Sequence, residues 1–189
     1  MPLKEIWCSL PSVSNEYPEL AEPLSKTDLD IYIHSDEYRQ SEFLNVGSMD
    51  LVEKEFEGIR DTLEHHSVIA EDFRGFKHCH PRILIGTPSL TIPFEWMLAI
   101  SATSSVGQVI IESEGGRALK DGFVIHIENT IFYGVVKDDV VTELCIHRGN
   151  ENSGKDIEEI MREFNLICVN WCECQMISGT IQGSSFHSE

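Results

Sequence analysis

Residues Phe123 to His147 read FVIHIENTIFYGVVKDDVVTELCIH. Three runs rich in Val, Ile, Phe and Tyr lie here: Phe123 to Glu128, Ile131 to Val136, and Val140 to His147. The first two turn around Asn129, and Lys137-Asp138-Asp139 separates the last two. β-Branched and aromatic side chains suit a pleated surface, and breaks this short between them are hairpin connections. Strands joined so closely must run antiparallel. The stretch is expected to form an antiparallel meander. Val106 to Glu112, ended by Gly115-Gly116, reads as a strand entering it.

Helical periodicity flanks the meander. From Ser48 or Asp50 to about His65, Val52, Phe56, Ile59 and Leu63 recur at i, i+4, i+7 and i+11 and make one apolar stripe. Glu53, Lys54, Glu55, Glu57, Arg60, Asp61 and Glu64 occupy the other faces, and Gly58 weakens the helix by about 1 kcal/mol relative to alanine. Pro93 to Ala102 forms a second helix, apolar on most sides and therefore expected to be enclosed. A third follows Ser153, with Asp156 completing a capping pattern and Ile157, Ile160, Met161 and Phe164 on one face. Leu29 to His34 and Glu42 to Val46 read as strands before the meander, Arg82 to Ile85 as a short buried one, and Leu166 to Ile177 as one long final strand. Pro2, Pro11, Pro18 and Pro23 make residues 1–28 an extended lead-in, within which Lys4 to Leu10 reads as a strand. The Gly- and Ser-rich tail 179–189 reads as a frayed end. The expectation is a single α+β domain over residues 1–189, mainly an antiparallel meander packed with about three helices.

Charge is the largest departure from average composition. The chain of 189 residues has 32 Asp and Glu against 14 Lys and Arg, a formal balance of −18. Such a field repels nucleic acid and anionic membranes and attracts basic proteins. Residues 1–60 and 121–189 carry most of the excess. Met1-Pro2-Leu3-Lys4-Glu5-Ile6-Trp7 lacks the basic and apolar regions of a signal peptide. No run approaches 18 apolar residues, so no membrane span is expected. A cytoplasmic chain with six free thiols is the expectation.

Several groups bear on chemistry. His78, His80 and the cysteines Cys168, Cys172 and Cys174 could supply a tetrahedral zinc site if a continuous strand put the three thiols on one face. The spacing lacks the paired knuckles of structural zinc sites, so buried apolar thiols are the favoured reading and no metal is assigned. Cys79 between two histidines suggests a thiolate–imidazolium pair, yet sequence neighbours rarely point together. His65-His66 suits the negative end of a helix dipole. The carboxylate pairs Asp28/Asp30, Asp36/Glu37, Glu112/Glu114 and Asp138/Asp139 do not fit a calcium loop and read as solvated surface. Dinucleotide, P-loop, nucleophile-elbow and His-Glu-x-x-His motifs are absent.

The leading expectation is an acidic protein-binding or inhibitor protein that neutralises a basic partner, a toxin or nuclease-like domain, as an immunity protein does for a bacterial toxin. Glu53, Glu57, Asp61, Glu64, Asp138 and Asp139 are its expected contact residues. No catalytic residue and no cofactor is assigned. Two alternatives stand beside it. One is a small hydrolase or transferase drawing on His78, Cys79, His80, His126, Glu128 and His147. The other is a subunit of a larger assembly that docks through the 93–102 helix.

Overall fold

The computed structural model describes residues 8–70, 73–84, 87–101, 105–127, 130–148 and 154–178. In chain order the first elements are β1 (Ser12–Ser14), β2 (Leu20–Ala21), β3 (Ile31–Ile33), β4 (Ser41–Asn45) and helix α1 (Met49–His65). Next come β5 (Ser67–Ala70), β6 (Phe73–Phe76), β7 (His80–Arg82), β8 (Ile92–Pro93) and α2 (Phe94–Ile100). Then follow β9 (Val109–Ile111), β10 (Arg117–Leu119), β11 (Gly122–Ile127), β12 (Thr130–Lys137) and β13 (Val140–Arg148). Helix α3 (Gly154–Phe164), β14 (Leu166–Asn170) and β15 (Gln175–Ser178) end the described chain. The fold is α+β with mostly antiparallel pairing, as expected.

The meander exists with the expected hairpins. β11 pairs with β12 and β12 with β13, both antiparallel. The central sheet runs β11-β12-β13-β4-β14-β15, with β8 against the start of β13. The strand read at 106–112 does not join it in register. Its core, β9, sits in a second sheet ordered β2-β10-β9-β3 and touches the meander through the Gly107–Val124 bridge. The reason lies at Gly115 and Gly116, whose φ values of 71° and 75° reverse the chain into β10 rather than leading it into β11. β3 pairs with β9 in parallel, and β1 with β7 likewise.

Alternation of side chains divides the core into layers. Phe43, Phe132, Leu144 and Cys168 point to one face of the central sheet, where they pack with Met97 of α2 and Ile160 and Met161 of α3. On the other face, Tyr133 and Cys145 pack with Ile31, Ile33, Val109 and Ile111 of the second sheet. Further along that face, Leu44, Ile167 and Val169 pack with Val52, Phe56 and Ile59 of α1. The expected stripe of α1 is therefore its buried one, with Leu63 half-buried at its end. Each such aliphatic or aromatic side chain contributes about 1.5–3 kcal/mol on burial.

The α2 helix spans Phe94–Ile100, and its apolar surplus is used internally. Met97 is fully buried, Phe94 packs on Phe123 at 5.1 Å and Trp96 stacks edge-on against Phe164 at 4.8 Å. The lead-in is not free: β1 and β2 are woven into sheets by pairing with β7 and β10. The expected long strand from Leu166 to Ile177 is two strands folded back on each other. Trp171 to Cys174 forms the turn, with Cys174 at φ 51°. The tail 179–189, Ser153, Glu128, Asn129 and most of the strand read at 4–10 lie outside the described residues.

Asp138 and Asp139 both adopt left-handed backbone, φ 50° and 63°, as the two central residues of a two-residue hairpin turn require. Glycine is the residue that accepts the second position without steric cost. Asp139→Gly is expected to raise stability by about 0.5–1 kcal/mol, read as a higher urea midpoint at unchanged slope.

Candidate functional site

A row of directly paired residues crosses the central sheet: Val124, Tyr133, Cys145, Glu42, Val169 and Met176. Glu42 is the charged member of this row and is 2% exposed. It lies in the seam between the cluster under the second sheet and the cluster under α1. A carboxylate so placed must be paired and hydrogen-bonded. Arg39 supplies both: its Nε donates to Glu42 Oε2 at 2.7 Å and its Nη2 lies 2.6 Å from the same oxygen. The other oxygen, Oε1, accepts from Trp171 Nε1 at 2.8 Å. Arg39 also pairs with Glu16 at the seam's mouth.

Arg39 is held in left-handed backbone, φ 59°, a conformation that costs about 1 kcal/mol without glycine. Its backbone N–H donates to Tyr133 Oη at 2.9 Å, and its carbonyl accepts from Arg82 Nη2 at 3.0 Å. Arg82, 1% exposed, is the second buried cation. It donates to Ser12 Oγ at 2.8 Å and Gln40 Oε1 at 3.2 Å, and its guanidinium lies 5.1 Å above the Trp171 ring. The seam thus ties β1, β4, β7 and the β14–β15 turn together through polar contacts.

The electrostatics differ for the two cations. Burial opposes charge on Arg39, but Glu42, Glu143 and Glu16 outweigh it and hold its pKa above the ordinary value. Burial dominates at Arg82 and brings it down to about 10, with Glu42 offsetting part of the penalty and Arg39 adding to it. Burial also raises Tyr133 and Cys145, and burial together with Glu143 raises Tyr38, whose Oη donates to Glu143 Oε2 at 2.6 Å. Raised in this way, these thiol and phenol groups keep their protons at neutral pH.

A cleft of about 370 Å³ opens over the seam, with Arg39 and Glu42 at its floor and Glu16, Glu143, Thr142 and Ser89 on its walls. A neighbouring depression of about 120 Å³ shares Glu16 and Glu143 and adds Lys120 and Lys137. No histidine or cysteine lines either concavity.

The pH response follows from the raised thiols. Cys168, buried against α2 and α3, is pushed up to about 12, and Cys145 is raised as well, from an ordinary value of 9.0. In the unfolded chain both lose protons above pH 9 while the fold retains them. The stability they contribute is therefore complete below about pH 9 and lost as pH rises beyond it. Arg82 acts in the opposite sense between about 10 and 12.5, but as one group against Cys145, Cys168 and the two tyrosines. The urea midpoint is expected to stay flat from pH 7 to about 9 and then fall. A midpoint that holds to pH 11 refutes this.

The structure places the residues expected to meet a partner on the exterior. Glu53, Glu57, Asp61 and Glu64 are exposed on the side of α1 away from the core, and Asp138 and Asp139 are exposed at the tip of the β12–β13 hairpin. Asp61 lies 3.1 Å from His65 Nδ1 and 3.8 Å from His66 Nε2, and Glu53 lies 4.0 Å from Arg60. The hairpin tip belongs elsewhere in the fold, beside α2, where Phe94 N donates to Asp139 O at 2.9 Å. Glu55, read as a solvent-facing residue of α1, is instead 7% exposed and accepts from Ile83 N at 3.2 Å.

The histidines and cysteines do not gather into one site. His80 Nε2 sits 2.7 Å from Glu55 Oε2, with its ring against Gly58, so this glycine provides room that any Cβ would fill. His66 and His78 rings meet edge to face at 5.2 Å. His126 lies on β11 and His147 on β13, with β12 between them, and Glu128 lies outside the described residues. Cys168 faces the α2–α3 layer, while Cys172 and Cys174 occupy the turn that replaces the expected strand. The alternation that would have aligned the three thiols is therefore absent. Among the described residues no group of three His, Cys, Asp or Glu side chains is placed to hold a metal ion. No helix among the described residues is long and apolar enough to cross a membrane.

Sequence reasoning missed Arg39, Glu42 and Arg82. The available signal was an arginine and a glutamate three apart at the mouth of an apolar strand, which resembles ordinary surface pairing. No family model, curated protein or solved structure matches the chain.

Proposed function

We propose that the chain is a cytoplasmic, acidic binding protein that neutralises a basic protein partner, in the way an immunity protein disarms a bacterial toxin. One observation carries this reading. The buried charges among the described residues are Arg39 and Arg82 against Glu42 and Glu55, two of each sign. Those four cancel, so the acidic excess among the described residues is carried outside the core, where it is free to act at a distance. The α1 carboxylates stand on a helix anchored by three fully buried side chains, Val52, Phe56 and Ile59. A rigid charged face of this kind speeds encounter with a cationic surface and sets orientation.

The test uses immobilised full-length protein and extract of its native host at low salt. The basic protein recovered is then purified and its association rate measured. A variant carrying Glu53→Lys, Glu57→Lys, Asp61→Lys and Glu64→Lys is expected to associate about 10–100-fold more slowly, with a weaker dependence on salt. Recovery of no basic protein, or an unchanged rate in the variant, refutes the proposal.

A further inference from the structure

The thiols of Cys8 and Cys79 are far apart in sequence, yet they meet. Cys8 forms an isolated antiparallel bridge with Phe76, through Cys8 N to Phe76 O at 3.1 Å and Phe76 N to Cys8 O at 2.9 Å. Three residues past Cys8 and four past Phe76, His80 N donates to Pro11 O at 2.9 Å, and the β1–β7 pairing begins at Ser12 and His80. Backbone hydrogen bonds thus pin the two chains on both sides of the pair. Between these pins the Cys8 thiol lies beside Cys79, whose side chain and backbone both bear on its protonation. Both cysteines are free and half-exposed. Of the remaining thiols, Cys145 and Cys168 are buried in separate layers of the core.

We propose that Cys8 and Cys79 are a redox-sensitive pair that a low-molecular-weight disulfide converts into an intramolecular disulfide. The Cys79 thiolate attacks one sulfur of the reagent, RSSR, to form a Cys79–SR mixed disulfide and release one thiol, RSH. Cys8 then loses its proton to solvent and attacks the Cys79 sulfur, which expels the second RSH. Two protein thiols become one disulfide, and the reagent takes up two electrons and two protons. Burial and the neighbouring Cys79 push the Cys8 thiol up to about 12, and the same exchange balances with either thiol attacking first. The bond fastens the segment at residue 8 onto the β6–β7 connection and closes a loop that contains the whole of α1. Disulfides in reducing compartments are characteristically transient sensors of this kind.

The native, untagged protein is treated with oxidised glutathione, its residual thiols are alkylated, and the protein is digested for mass analysis. The expected product is one linkage between the peptides carrying Cys8 and Cys79, with the other four cysteines alkylated. Its thermal midpoint is expected to rise by about 5–10 °C and to return on reduction. Cys8→Ser and Cys79→Ser are each expected to stop at a glutathione adduct on the remaining cysteine, with no intramolecular linkage. Alkylation of both residues after oxidation, a persistent adduct on wild-type Cys79, or a linkage to any other cysteine overturns the proposal. The peptide map of the wild-type chain decides even if a variant folds poorly.

Discussion

Glu42→Ala is expected to cost about 3–5 kcal/mol of folding stability, read as a large drop in the urea midpoint. The residue is 2% exposed and its carboxylate answers three donors: two nitrogens of Arg39 and the indole of Trp171. Removing it leaves the Arg39 guanidinium in the seam with the ion pair to Glu16, itself half-exposed, and the field of Glu143. It also removes the nearest charge that offsets burial of Arg82, whose pKa already stands at about 10. Glu42→Gln is expected to cost less, because an amide oxygen still accepts from Trp171. The double variant Arg39→Met with Glu42→Leu is expected to be more stable than Glu42→Ala alone, since it deletes both charges together. Glu53→Ala on the exposed side of α1 provides the control and is expected to stay within about 0.5 kcal/mol of the parent. Equal midpoints for Glu42→Ala and Glu53→Ala would show that the seam contributes nothing.

The same seam explains what the amino-acid sequence revealed and what it hid. The meander was legible because Phe123 to His147 carries its own turn chemistry: Asp138 and Asp139 lie where the hairpin needs left-handed backbone. The stripe of α1 was legible because Val52, Phe56 and Ile59 repeat with the helical period and are all buried. The reversal at Trp171 to Cys174 was not, because it has neither glycine nor proline and the apolar pattern runs through it. Its determinants are long-range: Trp171 N donates to Gln40 O at 3.0 Å, and the indole is used by Glu42. The parallel pairings of β1 with β7 and β3 with β9 were hidden for the same reason, since they join segments distant in sequence. Buried ion pairs are least legible of all. Arg39 and Glu42 resemble a surface pair until the strand they flank becomes the middle of a sheet.

Within the seam Glu42 and Arg39 neutralise one another. The division of labour is physical: polar groups inside fix one register of β4 against β13 and β14, and carboxylates outside provide the long-range field. If the proposed binding role holds, a substitution in the seam alters stability without altering the salt dependence of partner association. Substitutions on the exposed side of α1 should do the reverse.

Gly134→Ala is expected to be the most damaging small substitution in the meander, at about 3 kcal/mol. Gly134 lies mid-strand in β12, paired with Phe123 on one side and Leu144 on the other. A Cβ built there would fall inside the contact radius of the Glu143 carbonyl oxygen and touch the Phe123 ring. A flexible side chain could yield, but this obstacle is backbone in the neighbouring strand, next to the bulge where the register shifts between Val135 and Val136. Relief requires β12 and β13 to separate. That separation would loosen the ladder that presents Phe132 to one layer and Tyr133 to the other. A glycine inside an otherwise β-branched and aromatic run is the sequence signature of such a close approach. Gly154→Ala tests the reasoning by contrast, because a Cβ at the start of α3 meets nothing within 4 Å. It is expected to leave stability unchanged or raise it by a few tenths of a kcal/mol. Urea midpoints of the two variants, with amide exchange across β12 and β13, separate the cases. A Gly134→Ala chain that unfolds with the parent's midpoint would mean that the two strands are not held as closely as the ladder requires.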